Sequence, residues 1–92
     1  MEQETIADFL KVLGHPSRIK ILTSLENGYR CVRDLESVVG ITQTNLSQHL
    51  RILKDKGILE HERRGTEICY WIKNRNALDI IRFAEKLFTE RG

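Results

Sequence analysis

The 92-residue chain has a single proline, only two cysteines, and few aromatic residues: three phenylalanines, two tyrosines and one tryptophan. One proline and six glycines are too few for a proline- or glycine-rich linker or a low-complexity segment, and no internal repeat is visible. Two cysteines cannot supply a disulfide-built scaffold. No apolar run exceeds a few residues, so no stretch reads as a transmembrane helix, and the acidic, polar opening from Met1 to Thr5 does not read as a signal peptide. The expected location is therefore the cytoplasm, with no membrane partner. A strong excess of one charge is also missing. The net charge of +2 leaves nucleic acid open as a partner, because acidic and basic residues can occupy separate faces.

A length of 92 residues allows one domain, here residues 1–92, with a small core. Pairing with a second copy is one way for so short a chain to gain stability. Hydrophobic residues at 40% and charged residues at 30% fit a soluble globular protein and are too apolar for disorder.

The spacing of Ile6, Phe9, Leu10 and Leu13 predicts a first amphipathic helix, stopped by Gly14. Pro16 suits the first position of a second helix, with Ile19, Leu22 and Leu25 expected on its buried stripe and Asn27-Gly28 at its end. Tyr29 to Val32 leaves room only for a short extended piece, followed by a third helix from about Arg33 to Val39. Gly40 and Ile41 form a tight connection. Thr42 then caps a fourth helix that places Leu46, Leu50 and Leu53 on one side and Thr44, Ser47, Gln48 and Arg51 across from them. A merely solvated face in so charged a chain would carry Glu and Lys. A run of short uncharged donors and acceptors suggests a face that reads something.

After Gly57 the pattern changes to two extended runs, Ile58–Arg63 and Glu67–Ile72, around a basic tip of Arg64, Gly65 and Thr66. The second run is apolar on both faces, as an inner strand would be, with the piece near Cys31 as its other neighbour. Asn74 or Asn76 caps a closing helix whose apolar residues, from Ala77 to Phe88, occupy more than one stripe. One stripe can serve the core while another meets a partner.

The predicted class is mainly α with a small β-hairpin wing: a winged helix-turn-helix of five helices and a two- to three-stranded antiparallel sheet. The segments VLGHPSRIKIL, CVRDLESVVGITQTNLSQHLRILKDKGIL and RRGTEICYWI, spanning about Val12 to Ile72, resemble the ArsR/SmtB family of repressors. That resemblance implies a homodimer joined through its first and last helices. It also implies one recognition helix per subunit in successive major grooves of an inverted-repeat operator on double-stranded DNA, and release by an inducer. Half-sites about one helical turn apart would satisfy two-fold symmetry.

The candidate DNA-binding residues are Gln43, Thr44, Asn45, Ser47, Gln48 and Arg51 on the recognition helix, and Arg63 and Arg64 at the wing. Glutamine can pair in bidentate fashion with adenine, hydroxyls serve bases or backbone, and arginine holds phosphate. His49, at the edge of the buried stripe, suits packing or DNA contact equally. Lys54 and Lys56 are weakened by Asp55 between them. His15 reads as a cap or packing residue, and Arg18 as a structural ion-pair or backbone-binding residue.

In arsenic-sensing relatives a pair of thiols stands two residues apart, whereas here Cys31 is followed by Val32 and Arg33. Zinc-sensing relatives use histidines and carboxylates on the closing helix, which here offers only Asp79, Glu85 and Glu90. No metal site or cofactor is assigned. The two cysteines are expected as resting thiols that pack as small hydrophobes. If the strand near Cys31 lies beside the one holding Cys69, they could instead form a thiol sensor, a disulfide or a two-thiolate site for a soft metal ion or metalloid. No nucleophile, base and orienting acid form a recognisable set, so an enzyme is not expected. The reading is a transcriptional repressor released by an inducer or redox signal; the alternative is a winged-helix module that binds protein or RNA.

Overall fold

Local capping chemistry sets most helix ends in the structure, a computed structural model that describes residues 2–89. Helix α1 (Gln3–Leu13) ends at Gly14, and α2 (Pro16–Ser24) begins with its proline at the first turn. His15 caps α2: its Nδ1 accepts the Ser17 amide at 3.1 Å, satisfying one donor that the helix leaves unpaired. A two-residue strand β1 (Arg30–Cys31) runs directly into α3 (Val32–Val39). Gly40, at φ 76°, terminates α3 in the left-handed conformation that costs glycine least. Thr42 opens α4 (Gln43–Asp55) by accepting the Asn45 amide at 3.3 Å.

Strands β2 (Leu59–Arg64) and β3 (Glu67–Ile72) form the hairpin. The register pairs Arg64 with Glu67, so the turn is Gly65-Thr66 alone and Arg64 belongs to the strand. Gly65 at φ 67° supplies the positive dihedral that a two-residue hairpin turn needs. The sheet is antiparallel in the order β1-β3-β2, with β3 in the middle as its two apolar faces require. Asn74, not Asn76, caps α5 (Arg75–Thr89), its Oδ1 accepting the Asn76 amide at 3.0 Å. Among the described residues, five helices and a three-stranded sheet make the winged helix-turn-helix arrangement. Glu90 of the closing segment lies outside the described residues.

The core draws on every helix: Leu13, Ile21, Leu22, Leu25, Leu35, Leu46, Leu50, Leu53 and Ile81 form one cluster with Ile58, Leu59 and Ile72 of the hairpin region. Burying each such side chain contributes about 1.5–3 kcal/mol before conformational entropy is set against it. The expected stripe of α2 needs correction at one position. Ile21 is fully buried beside Leu22 and Leu25, whereas Ile19 is 37% exposed. A helix of nine residues offers too few turns for apolar spacing to separate its core face from a second apolar face. At the far end α5 is fastened to the end of α2, where Arg82 pairs with the Glu26 carboxylate and Arg75 donates to the Glu26 carbonyl at 3.1 Å.

Candidate nucleic-acid interface

Helix α4 divides sharply. Leu46, Leu50 and Leu53 are at most 1% exposed, while Gln43, Thr44, Asn45, Ser47, Gln48 and Arg51 all face solvent. The side chains of Gln43, Thr44, Ser47, Gln48 and Arg51 line one shallow open concavity of about 430 Å³, so five of the sequence-predicted residues come together on one surface. Asn45 is exposed but not part of that lining; its backbone N–H donates to the Thr42 cap. This surface offers amide and hydroxyl groups that both donate and accept, with one cation at its C-terminal side. Such a set can match base edges and a phosphate in a major groove.

The helix is held at a defined angle by contacts that spacing along the chain does not reveal. Arg18 of α2 donates through Nε to His49 Nδ1 on α4 at 3.1 Å and through Nη1 to the Val12 carbonyl at 3.1 Å. The rings of His15 and His49 lie 4.4 Å apart. Thus His49 packs inward and accepts a hydrogen bond, which removes it from the outward surface. Burial, then the neighbouring His15 and the Arg18 cation, push the His49 pKa below its ordinary value of 6.5, because both desolvation and nearby positive charge disfavour the protonated ring.

The wing carries Arg63 and Arg64, both exposed. They differ in freedom. The Arg63 side chain has no hydrogen-bond or ion-pair partner among the described residues, whereas Arg64 pairs through Nε with Glu62 at 2.9 Å and lies 4.3 Å above the Tyr29 ring. An exposed cation–π contact and a surface ion pair are each worth at most about 1 kcal/mol, so a phosphate can compete for Arg64. Between wing and recognition helix runs a cleft of about 390 Å³, to which α3 contributes Arg33 and Glu36, α4 contributes Gln43 and Ser47, the hairpin turn contributes Thr66 and β3 contributes Glu67. Arg33 and Tyr29 were not among the predicted residues. Only the folding of α3 and β1 against the wing brings them near it.

The expectation of two resting thiols is corrected. Cys31 and Cys69 are joined by a disulfide. The reason is the register: β1 pairs Cys31 directly opposite Cys69, and directly opposed residues of antiparallel strands have the close Cβ separation that a disulfide requires. Among the described residues no three of His, Cys, Asp and Glu come together in a cluster that could hold a metal ion.

Elsewhere, α1 and α5 present an uncovered apolar surface. Leu10, Leu13, Ile19, Ile80, Ile81 and Phe88 line a groove of about 320 Å³, and beside it Phe83 and Leu87 are each 69% exposed. Side chains this apolar and this exposed mark a surface made for a partner. Among the described residues no helix is long and apolar enough to cross a membrane.

Comparison with known proteins agrees with this geometry. A family model described as bacterial regulatory protein, arsR family, matches residues 15–61. The biofilm growth-associated repressor of Xylella fastidiosa is 34% identical over 83 residues, covering 90% of this chain and 73% of the relative. The crystal structure of Rv0081 from Mycobacterium tuberculosis superimposes with a TM-score of 0.85 at 33% identity, covering 98% of this chain and 93% of that one. A solution structure from Mycobacterium bovis, described as the homodimeric winged helix-turn-helix DNA-binding domain of a possible ArsR-family transcriptional regulator, gives a TM-score of 0.81 at 26% identity, covering 97% of this chain and 86% of that one.

Proposed function

Because this chain belongs to the arsR family of bacterial regulatory proteins, a family of transcriptional regulators and not of enzymes, we propose that it is a cytoplasmic, homodimeric repressor that binds an inverted-repeat operator and is released by a signal. The observation that carries this reading is the division of α4: one side is sunk in the core, and the other gathers Gln43, Thr44, Ser47, Gln48 and Arg51 on a single open surface. In this reading Gln43, Thr44, Asn45, Ser47 and Gln48 meet base edges and nearby backbone in the major groove, and Arg51 holds phosphate. Arg63 and Arg64 reach the flanking backbone or minor groove from the wing.

The single domain of residues 1–92 uses its first and last helices as the dimer interface. The groove between α1 and α5, with the exposed Leu87 and Phe88, supports that placement, and the Mycobacterium bovis neighbour is homodimeric by its description. Two-fold symmetry then sets the two recognition helices about 34–36 Å apart, one turn of B-form DNA.

Selection from a pool of randomised duplexes, followed by binding of the enriched sequence in rising salt, tests the proposal. The expected result is an inverted repeat, bound at least about a thousandfold more tightly than random duplex, with affinity falling steeply as salt increases. A protein that enriches no duplex and sediments as a single chain would refute it, and enrichment of single-stranded RNA or of a protein partner instead would replace it with an interaction module.

A further inference from the structure

The covalent link between the helix-turn-helix and the wing has an unusual position. Cys31 is the last residue of β1 and the residue that precedes the first turn of α3, while Cys69 is the β3 residue whose other neighbour is Glu62 of β2. Without the disulfide, β1 is tied to the sheet only through the pairing of Arg30 with Tyr70 and of Cys31 with Cys69, a ladder too short to fix an angle firmly. The two DNA-facing parts, α4 with its partner α3 on one side and the hairpin on the other, also pack directly, α4 on β2 and α3 on β3, and the disulfide adds a covalent tie at the edge of that packing. The cleft lined by Arg33, Gln43, Ser47 and Thr66 spans the same joint.

The two sulfurs also differ in access. Cys69 is fully buried, and Cys31 is only half-buried. An incoming thiolate therefore reaches Cys31 first. Cys31 stands at the amino end of an eight-residue helix, where unpaired amides stabilise a thiolate. Arg30, which sequence spacing places beside this thiol, is engaged elsewhere, donating to Asp34 at 2.6 Å and to the Ser24 carbonyl at 2.7 Å.

We propose that Cys31–Cys69 is a reversible thiol–disulfide exchange site that sets DNA affinity: the disulfide form binds the operator, and reduction by a dithiol weakens binding by freeing β1 from β3. The idea rests on the DNA-binding reading above. In the exchange, a thiolate of the dithiol attacks Cys31 Sγ, forming a mixed disulfide and expelling the Cys69 sulfur, which takes up a proton. The second thiol of the reagent then displaces Cys31 Sγ as thiolate, which is protonated in turn as solution acidity dictates. The dithiol leaves as a cyclic disulfide, so two electrons pass to the protein. Oxidation is the reverse exchange with a small-molecule disulfide.

The joint is a stiffening element in this scheme, because a prearranged pair of contact surfaces binds more tightly than one that must be ordered on binding. The test uses the full chain, oxidised with glutathione disulfide or reduced with dithiothreitol. Each form separately selects from randomised duplexes and is then titrated with the enriched sequence by fluorescence anisotropy. Maleimide labelling counts free thiols, and circular dichroism follows the fold. The expected result is an oxidised form binding about fivefold or more tightly, a reduced form with two labelled thiols and unchanged helicity, and full recovery on reoxidation. The Cys31→Ser and Cys31→Ala/Cys69→Ala variants should match the reduced affinity and ignore both reagents. Equal affinity in the two states makes the bond a structural staple and overturns the proposal, as does loss of the fold on reduction or tighter binding by the reduced form. If neither state enriches a duplex, the DNA-binding reading falls and takes this one with it, an outcome separable from all the others.

Discussion

Helices α4 and α5 both send a row of side chains into solvent, yet the rows have opposite chemistry. On α4 the outward row is amides and hydroxyls, and on α5 it is Phe83, Leu87 and Phe88, each at least 69% exposed. Hydration decides the difference. A polar row leaves water only for a surface that returns its hydrogen bonds in matched positions, while an apolar row gains by leaving water against almost any complementary apolar surface. The first property gives selectivity and the second gives association. In this chain they sit on different helices, so mutations should separate them.

The largest effect is expected at α5. Converting Phe83 and Leu87 to aspartate places charge in the proposed seam and should yield single chains in sedimentation equilibrium, with operator affinity reduced at least about a hundredfold as the two half-sites cease to be bound together. Because both positions are exposed in the isolated chain, the fold itself should survive, as circular dichroism would show. Next in size is Leu50→Ala on the buried side of α4, where the side chain is 1% exposed. Urea denaturation should register a loss of about 2–5 kcal/mol.

On the opposite side of the same helix, Gln48→Ala should leave stability within about 0.5 kcal/mol and instead remove about 1–3 kcal/mol of discrimination between operator and mismatched duplex. A Gln48→Ala variant that lost stability but kept its preference would dissolve the contrast between the two sides of α4. The smallest effect concerns His49, on the border between them. Its folded-state pKa lies below the ordinary value of 6.5, so the unfolded chain binds the proton more readily. Stability is therefore complete above that value and declines as pH falls through it toward the folded pKa. Thermal denaturation at pH 7.5 and 5.5 should show the decline, and His49→Gln should flatten it.

The pattern of successes along the chain follows the range of the interactions involved. Helix limits set by Pro16, Thr42 and Gly40 were legible because the capping groups lie within three residues of the amides they serve. The split of α4 was legible because thirteen residues span enough turns for a period to emerge. Ile19 was misplaced because α2 carries apolar residues on two sides, and only the packing of α1 and α5 reveals which side is the core. The disulfide depended on a register between segments 38 positions apart. The Arg18–His49 bond joins residues 31 positions apart. The Arg18–His49 bond leaves no local trace, whereas the Cys31–Cys69 pairing is open to the sequence on the condition that their strands adjoin, a register that local spacing does not fix. The wing was read correctly as a hairpin, but the engagement of Arg64 by Glu62 and Tyr29 was not visible, since Tyr29 is remote in sequence.

Arg18 has one guanidinium and two obligations, to the end of α1 through the Val12 carbonyl and to α4 through His49. It works as a strut: α4 cannot roll about its long axis unless α1 moves with it or a bond is surrendered. Orientation at one surface is thereby geared to orientation at the other, through a side chain that belongs to neither.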